Sequence, residues 1–215
     1  MPQLPYRAVL FDLDGTLTDP IAGIRRSVAY AAERIARPGP DDATLRTWIG
    51  PPLRDSFLRH LTDAALADAA VAAYREHYTT QGMYENEVYP GIPELLAALR
   101  TAGVRLFVAT SKIRPPTEGI LAHFGLAPFF EAVGAPEPHD TADKAQVIAS
   151  LRQAVGADWE AAVMVGDTPY DVLGARANGL GCIAVSYGYG TREALEAAQP
   201  LAIVDSVAAL GKLLM

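Results

Sequence analysis

The chain has one cysteine among its 215 residues, so no internal disulfide can form. Cys182 stands in the apolar run from Cys182 to Val185 and reads as a buried thiol rather than a nucleophile. Long hydrophobic runs are missing too. Stretches such as Ala161 to Val165 fall far short of the roughly 18 residues of a membrane-spanning helix, and Met1 to Tyr6 lacks the apolar segment of a secretory leader. These absences lead to the expectation of a cytoplasmic protein with no membrane partner. Positive charge is scarce as well: 18 Lys and Arg stand against 25 Asp and Glu, a formal net charge of −7. That balance excludes the dense basic footprint of a nucleic-acid-binding surface, and the pair Arg25-Arg26 is too small to reverse it. With so little cationic surface, acting on an anionic substrate requires positive charge gathered locally, by a divalent metal and one or two placed lysines.

Four short apolar runs, Arg7 to Phe11, Val104 to Ala109, Ala161 to Val165 and Cys182 to Val185, read as buried strands. Between the later ones lie segments of helical period, each closed by glycine: Ile92 to Thr101, Pro116 to Phe124, Thr141 to Val155 and Asp171 to Asn178. Such alternation predicts an α/β fold, a doubly wound parallel sheet that binds ligands beyond the carboxyl ends of its strands. Residues 19–85 break the pattern because they read as helices only. Ile21, Ile24, Val28, Ala31 and Ile35 fall on one helical face, and the alanine-rich run Asp63 to Tyr78 is a second helix. The expected organisation is therefore a core of residues 1–18 and 86–215 with an all-helical cap of 19–85 inserted after the first strand. Gly15 to Pro20 and Gly82 to Gly91 are the expected hinges, and Pro38 to Pro40 a loop within the cap.

Four constellations follow the predicted strands. Asp12-Leu13-Asp14-Gly15-Thr16 begins where the first apolar run stops. Two like charges in one cleft raise the pKa of one of them unless a cation intervenes, which suits a nucleophile paired with a general acid/base; an Asp-Gly turn is the plainer alternative. A calcium loop of the EF-hand kind would need glycine and glutamate where Leu17 and Gly23 stand. Gly166-Asp167-Thr168-Pro169-Tyr170-Asp171 follows the third run, and Asp167 and Asp171 beside Asp12 would form an oxygen-rich site for Mg²⁺, with a helix N-cap as the alternative role of Asp171. Thr110-Ser111-Lys112 ends the second run, where a hydroxyl and backbone N–H groups can hold phosphoryl oxygens, while Lys112 reads equally as a solvated side chain. Lys144 falls in the first turn of a helix capped by Asp140 or Thr141, the unfavourable end of the dipole for a cation. Either an anionic site compensates it, or it pairs with Asp143 at the surface.

In the order acid pair, hydroxyl, lysine, acid pair, these motifs resemble the haloacid dehalogenase-like superfamily over essentially the whole chain. The helical insertion is similar to the subgroup capped between its first and second motifs. Within that subgroup, which includes the phosphoglycolate phosphatases, Thr18-Asp19-Pro20, Ile49 to Leu53, Glu85-Asn86, Ala109 to Lys112 and Tyr187-Gly188-Tyr189-Gly190 are similar to a bacterial 5′-nucleotidase-like branch. The resemblance implies a Mg²⁺-dependent phosphatase of small phosphorylated metabolites that works through a phosphoaspartate on Asp12, with Asp14 as general acid and base. It implies Mg²⁺ held by Asp12, the Asp14 carbonyl and Asp167, phosphoryl oxygens bound by Thr110, Ser111 and Lys144, and Asp171 in support. Within the cap, Gly50 to Leu53 and Arg54 would read the leaving group. A phosphomutase of the same fold and a non-catalytic binding domain are the alternatives.

Overall fold

A computed structural model describes residues 5–138, 140, 142–156, 159 and 161–215. Its strands are β1 (Ala8–Phe11), β2 (Thr18–Asp19), β3 (Glu87–Val88), β4 (Arg105–Ala109), β5 (Ala132–Gly134), β6 (Ala162–Gly166), β7 (Gly181–Val185) and β8 (Ala202–Val204). The helices are α1 (Ile21–Arg34), α2 (Asp42–Arg46), α3 (Leu53–Leu61), α4 (Ala64–Tyr78), α5 (Ile92–Thr101), α6 (Arg114–His123), α7 (Lys144–Val155), α8 (Pro169–Ala177), α9 (Arg192–Ala198) and α10 (Val207–Leu214). Two compact units result, one of residues up to Thr18 and from Val88 onward, the other Asp19–Glu87.

The first unit is a six-stranded parallel sheet in the order β5-β4-β1-β6-β7-β8 with helices between its strands. All four residues of β1 are buried, as a central parallel strand covered on both faces requires. Ala8 and Leu10 turn to one face and join Phe107, Met164, Cys182, Val147, Ile148, Leu151, Val172 and Ala175 in a core cluster. Register positions the site. Phe11 at the end of β1 pairs with Val108 on β4 and with Val165 on β6, so three loops leave the sheet at one level. The chain runs from β1 to β4 and β5 on one side, then crosses to β6 on the other, which makes β1 the switch point where ligands bind in such sheets.

Several expected boundaries move. Strands β5 and β8 were outside the predicted set because they hold only three residues each, mostly half-buried, with no sustained apolar run to mark them. Helix α6 opens at Arg114 and α8 at Pro169, two residues before the predicted starts in each case, because proline is at home in a first helical turn. Helix α7 opens at Lys144 with Asp143 as its N-cap, in place of Asp140; Thr141 lies outside the described residues.

In the second unit α1 packs against α4, burying Ile24, Val28 and Ala31 from α1 and Ala67, Ala70, Val71 and Tyr74 from α4. Asp41 caps α2 through the Thr44 N–H and Asp63 caps α4 through the Leu66 N–H. Trp48, Phe57, Tyr74 and Tyr78 form a run of ring contacts that fixes α3 on α4.

Candidate active site

Asp12, Thr110 and Asp167 each stand one residue beyond the carboxyl end of β1, β4 or β6, and all three are buried. The backbone N–H of Asp12 donates to the Val165 carbonyl and that of Thr110 to Gly134, which continues the ladder and holds the side chains at a common level. Carboxylate oxygens of Asp12, Asp167 and Asp171 lie within 4.8 Å of one another. Asp171 sits inside α8 as its third residue. Its Oδ2 accepts from the Thr168 N–H at 3.0 Å and hydroxyl at 2.8 Å, so Thr168, not Asp171, is the N-cap.

Lys144 accounts for its own awkward place at a helix N-terminus. Its ammonium lies 2.9 Å from Asp12 Oδ1 and 2.8 Å from Asp171 Oδ1, and donates to the Ala109 carbonyl at 3.0 Å. Two ion pairs and one hydrogen bond thus hold the ammonium, and the side chain is only 4% exposed. The alternative, a surface pairing with Asp143, is not adopted, and that carboxylate is engaged with the Gln146 N–H in a capping box. The helix dipole disfavours a cation here by roughly 0.3–1 kcal/mol, a small term beside two buried ion pairs.

Burial decides the charge states. Desolvation pushes the Asp12 carboxyl up to about 6; Lys144 works against this and Asp171 adds to it. Asp167 is raised well above the ordinary carboxylate range by burial, then by Asp171 and Asp12. Burial pulls the Lys144 ammonium down, yet Asp12 and Asp171 outweigh it and hold its pKa above the ordinary lysine value. With all three carboxylates ionised, one ammonium would leave two negative charges uncompensated. A divalent cation matches that deficit, and a donor set made only of carboxylate oxygens suits a hard ion such as Mg²⁺.

Asp14 stands apart from that cluster. Its Oδ2 meets the Lys112 ammonium at 2.8 Å, with 10% and 15% of the two side chains exposed, and its buried Oδ1 has no hydrogen-bond partner. Of the two readings of Lys112, the solvated side chain is therefore not the one the fold adopts. Its backbone N–H donates to Thr110 Oγ1 at 3.2 Å, which turns the residue inward. Position in the same strand-end loop as Thr110 was the one signal in the sequence. Ser111 is half-buried between them. Thr16 and Tyr189, which were not candidates, hold Asp167: the Thr16 hydroxyl donates to its Oδ1 at 3.4 Å and the Tyr189 N–H to its Oδ2 at 2.8 Å. Gly15, at φ 81°, lies so close that an added Cβ would stand 2.1 Å from Asp167 Oδ2.

The two cap candidates belong to the helical unit. Arg54 on α3 grips Asp68 on α4 through Nε at 2.6 Å and Nη2 at 3.3 Å, and Gly50 precedes α3 with φ 108°.

Among known proteins, the chain is 44% identical to a 5′-nucleotidase of Pseudomonas aeruginosa over 98% of its length and 96% of that protein's. It is 41% identical to the tyrosine-protein kinase PtkA of Mycobacterium tuberculosis over 91% of its length and 66% of the kinase's. A solved structure titled as a predicted phosphatase from Clostridium acetobutylicum superposes with a TM-score of 0.91 at 40% identity, covering 96% of this chain and 97% of that one. Residues 9–185 match the model of the haloacid dehalogenase-like hydrolases, a span that holds the buried cluster and its lysine, and the chain belongs to that family.

Proposed function

We propose that the chain is a Mg²⁺-dependent phosphomonoester hydrolase of small phosphorylated metabolites, nucleoside 5′-monophosphates first among them, acting through a transient phosphoaspartate on Asp12. The observation that carries the reading is the buried set of Asp12, Asp167 and Asp171 with Lys144 at the carboxyl edge of the sheet, two charges short of neutrality when all three carboxylates are ionised. The substrate class is supported by the similarity to the Pseudomonas 5′-nucleotidase.

Both hydrogen bonds assigned to Asp12 fall on Oδ1, from Leu13 N–H and Lys144, which leaves Oδ2 for attack on phosphorus. A bond forms from Oδ2 to phosphorus as the bond to the leaving oxygen breaks. Asp14 gives that oxygen its proton, then takes a proton from the water that cleaves the aspartyl phosphate. Lys112 holds the Asp14 carboxylate at the mouth of the site between these transfers. Thr110, the Ser111 N–H and Lys144 bind the phosphoryl oxygens. Mg²⁺, held by Asp12, the Asp14 carbonyl and Asp167, would supply charge to offset the transferring group. Asp171 keeps Lys144 in place. Gly50 and Arg54 are assigned to recognition of the leaving group, so Arg54→Ala should raise KM for a nucleotide while leaving kcat for an aryl phosphate alone. The working location is the cytoplasm.

The test is phosphate release from p-nitrophenyl phosphate with and without Mg²⁺, then a screen of nucleoside monophosphates, phosphoglycolate and sugar phosphates. Turnover is expected with Mg²⁺ and none in Asp12→Asn. Full activity of Asp12→Asn would overturn the nucleophile, and activation by a sugar bisphosphate without phosphate release would indicate a mutase. Since one relative is named a tyrosine-protein kinase, ATP with a tyrosine peptide belongs in the same screen.

A further inference from the structure

The segment Tyr187-Gly188-Tyr189-Gly190 takes no part in the chemistry above, yet it touches both loops that the metal needs. It leaves β7 at the same edge as Asp12 and Asp167, tied down by the Ser186 N–H on the Val204 carbonyl at 2.8 Å. The Tyr187 hydroxyl donates to the Thr16 carbonyl at 3.0 Å, in the turn that carries Asp14. Two residues later the Tyr189 N–H donates to Asp167 Oδ2 at 2.8 Å. Between and beyond them the glycines leave no room for a side chain. An added Cβ at Gly188 would stand 2.4 Å from both Asp167 Cβ and the Gly15 carbonyl, and one at Gly190 would stand 2.0 Å from the Asp167 carbonyl. The Tyr187 ring meets Tyr89 edge to face with centroids 4.8 Å apart, which fixes the hydroxyl's reach.

We propose that residues 187–190 form a positioning strap that sets the separation of Asp167 from the Asp12–Thr16 loop, and through it the affinity for Mg²⁺. The proposal rests on the reading that Asp12 and Asp167 hold the metal. A carboxylate ligand whose two oxygens are engaged from opposite loops, by Thr16 on one side and the strap on the other, has its orientation chosen before an ion arrives. Tyr187 then acts through Thr16, and Gly188 through the closeness of two backbones.

The experiment is Mg²⁺ titration of the full chain by calorimetry, with Tyr187→Phe and Gly188→Ala beside the wild type. Tyr187→Phe keeps the ring on Tyr89 and removes the hydroxyl alone. Its Kd for Mg²⁺ should rise about tenfold, and its kcat should recover at saturating Mg²⁺ with the substrate KM unchanged. Gly188→Ala should weaken the metal further. A general structural role would lower the melting temperature of the metal-free protein and leave Kd alone in the folded fraction, which overturns the strap, as does wild-type Kd in both variants. Should Gly188→Ala fail to fold, Tyr187→Phe decides. A wild type that binds no Mg²⁺ and releases no phosphate sinks the functional reading, and the strap with it; a wild type that does both beside two unaltered variants sinks the strap alone.

Discussion

The surface of the helical unit and the carboxyl edge of the sheet treat charge in opposite ways. In the helical unit the ion pairs Arg25–Asp42, Arg34–Glu76 and Arg54–Asp68 all lie on the surface, with side chains 48–73% exposed. At the sheet edge Lys144, Asp12, Asp167 and Asp171 are buried. Exposed pairs are screened by water and contribute little, whereas burying several like charges is strongly unfavourable unless partners compensate them. A fold seeking stability alone would place such charges as the helical unit does. The sheet edge instead keeps them buried, and the proposed function rests on that cluster.

Four measurements would break or sharpen this contrast. Asp14→Asn should lower turnover by roughly 10²–10⁴-fold while calorimetric Mg²⁺ affinity stays within a few-fold, because the ligand proposed there is a main-chain oxygen. Ordinary turnover would show that Asp14 is not the acid. Lys144→Met removes the only ammonium in contact with Asp12 and Asp171 among the described residues, and should destabilise the metal-free protein by about 3–5 kcal/mol in urea. A shift too small to resolve would mean that water reaches these carboxylates after all.

The third measurement is pH. The folded Asp12 carboxyl titrates at about 6 against an ordinary value of 3.8, so the folded chain holds this proton more tightly than the unfolded one. Stability of the metal-free protein should therefore fall as pH climbs from about 4 to about 6, by on the order of 3 kcal/mol, and Asp167 acts in the same direction. Because the ligands must lose their protons to bind, Mg²⁺ affinity should rise over the same interval. Urea midpoints with chelator and with saturating Mg²⁺, taken from pH 4 to 8, should diverge as pH increases; parallel curves would remove the metal from these carboxylates. The smallest effect belongs to the helical unit. Arg25→Ala, whose partner Asp42 is 73% exposed, should change the unfolding free energy measured in urea by at most about 0.5 kcal/mol. A larger shift would blur the distinction between the two units.

Much of this organisation was legible in the residues themselves. The four buried strands announce themselves as apolar runs that stop at polar ones, since a strand covered on both faces has no polar position to spare. Asp12, Thr110 and Asp167 each follow such a stop, so they were candidates before any coordinates. Strands β5 and β8 escaped notice because a short strand at a sheet's flank has little apolar pattern of its own; its partner dictates it. Lys112 was ambiguous for a similar reason. One lysine in a loop has the same local signal whether it points to water or, as here, to Asp14.

By itself the sequence determined the alternation of four buried strands with helices and the residue types that follow those strands. Hydrophobic period and turn chemistry are local properties, written in neighbouring residues. Only the tertiary structure decided which carboxylate pairs with which lysine, that burial raises the Asp12 carboxyl, and that Tyr187 to Gly190 clasps Asp167. Those outcomes depend on distance and burial between groups up to 171 residues apart in the chain, as Thr16 and Tyr187 are, and electrostatics responds to separation in space and to excluded water, not to separation in sequence.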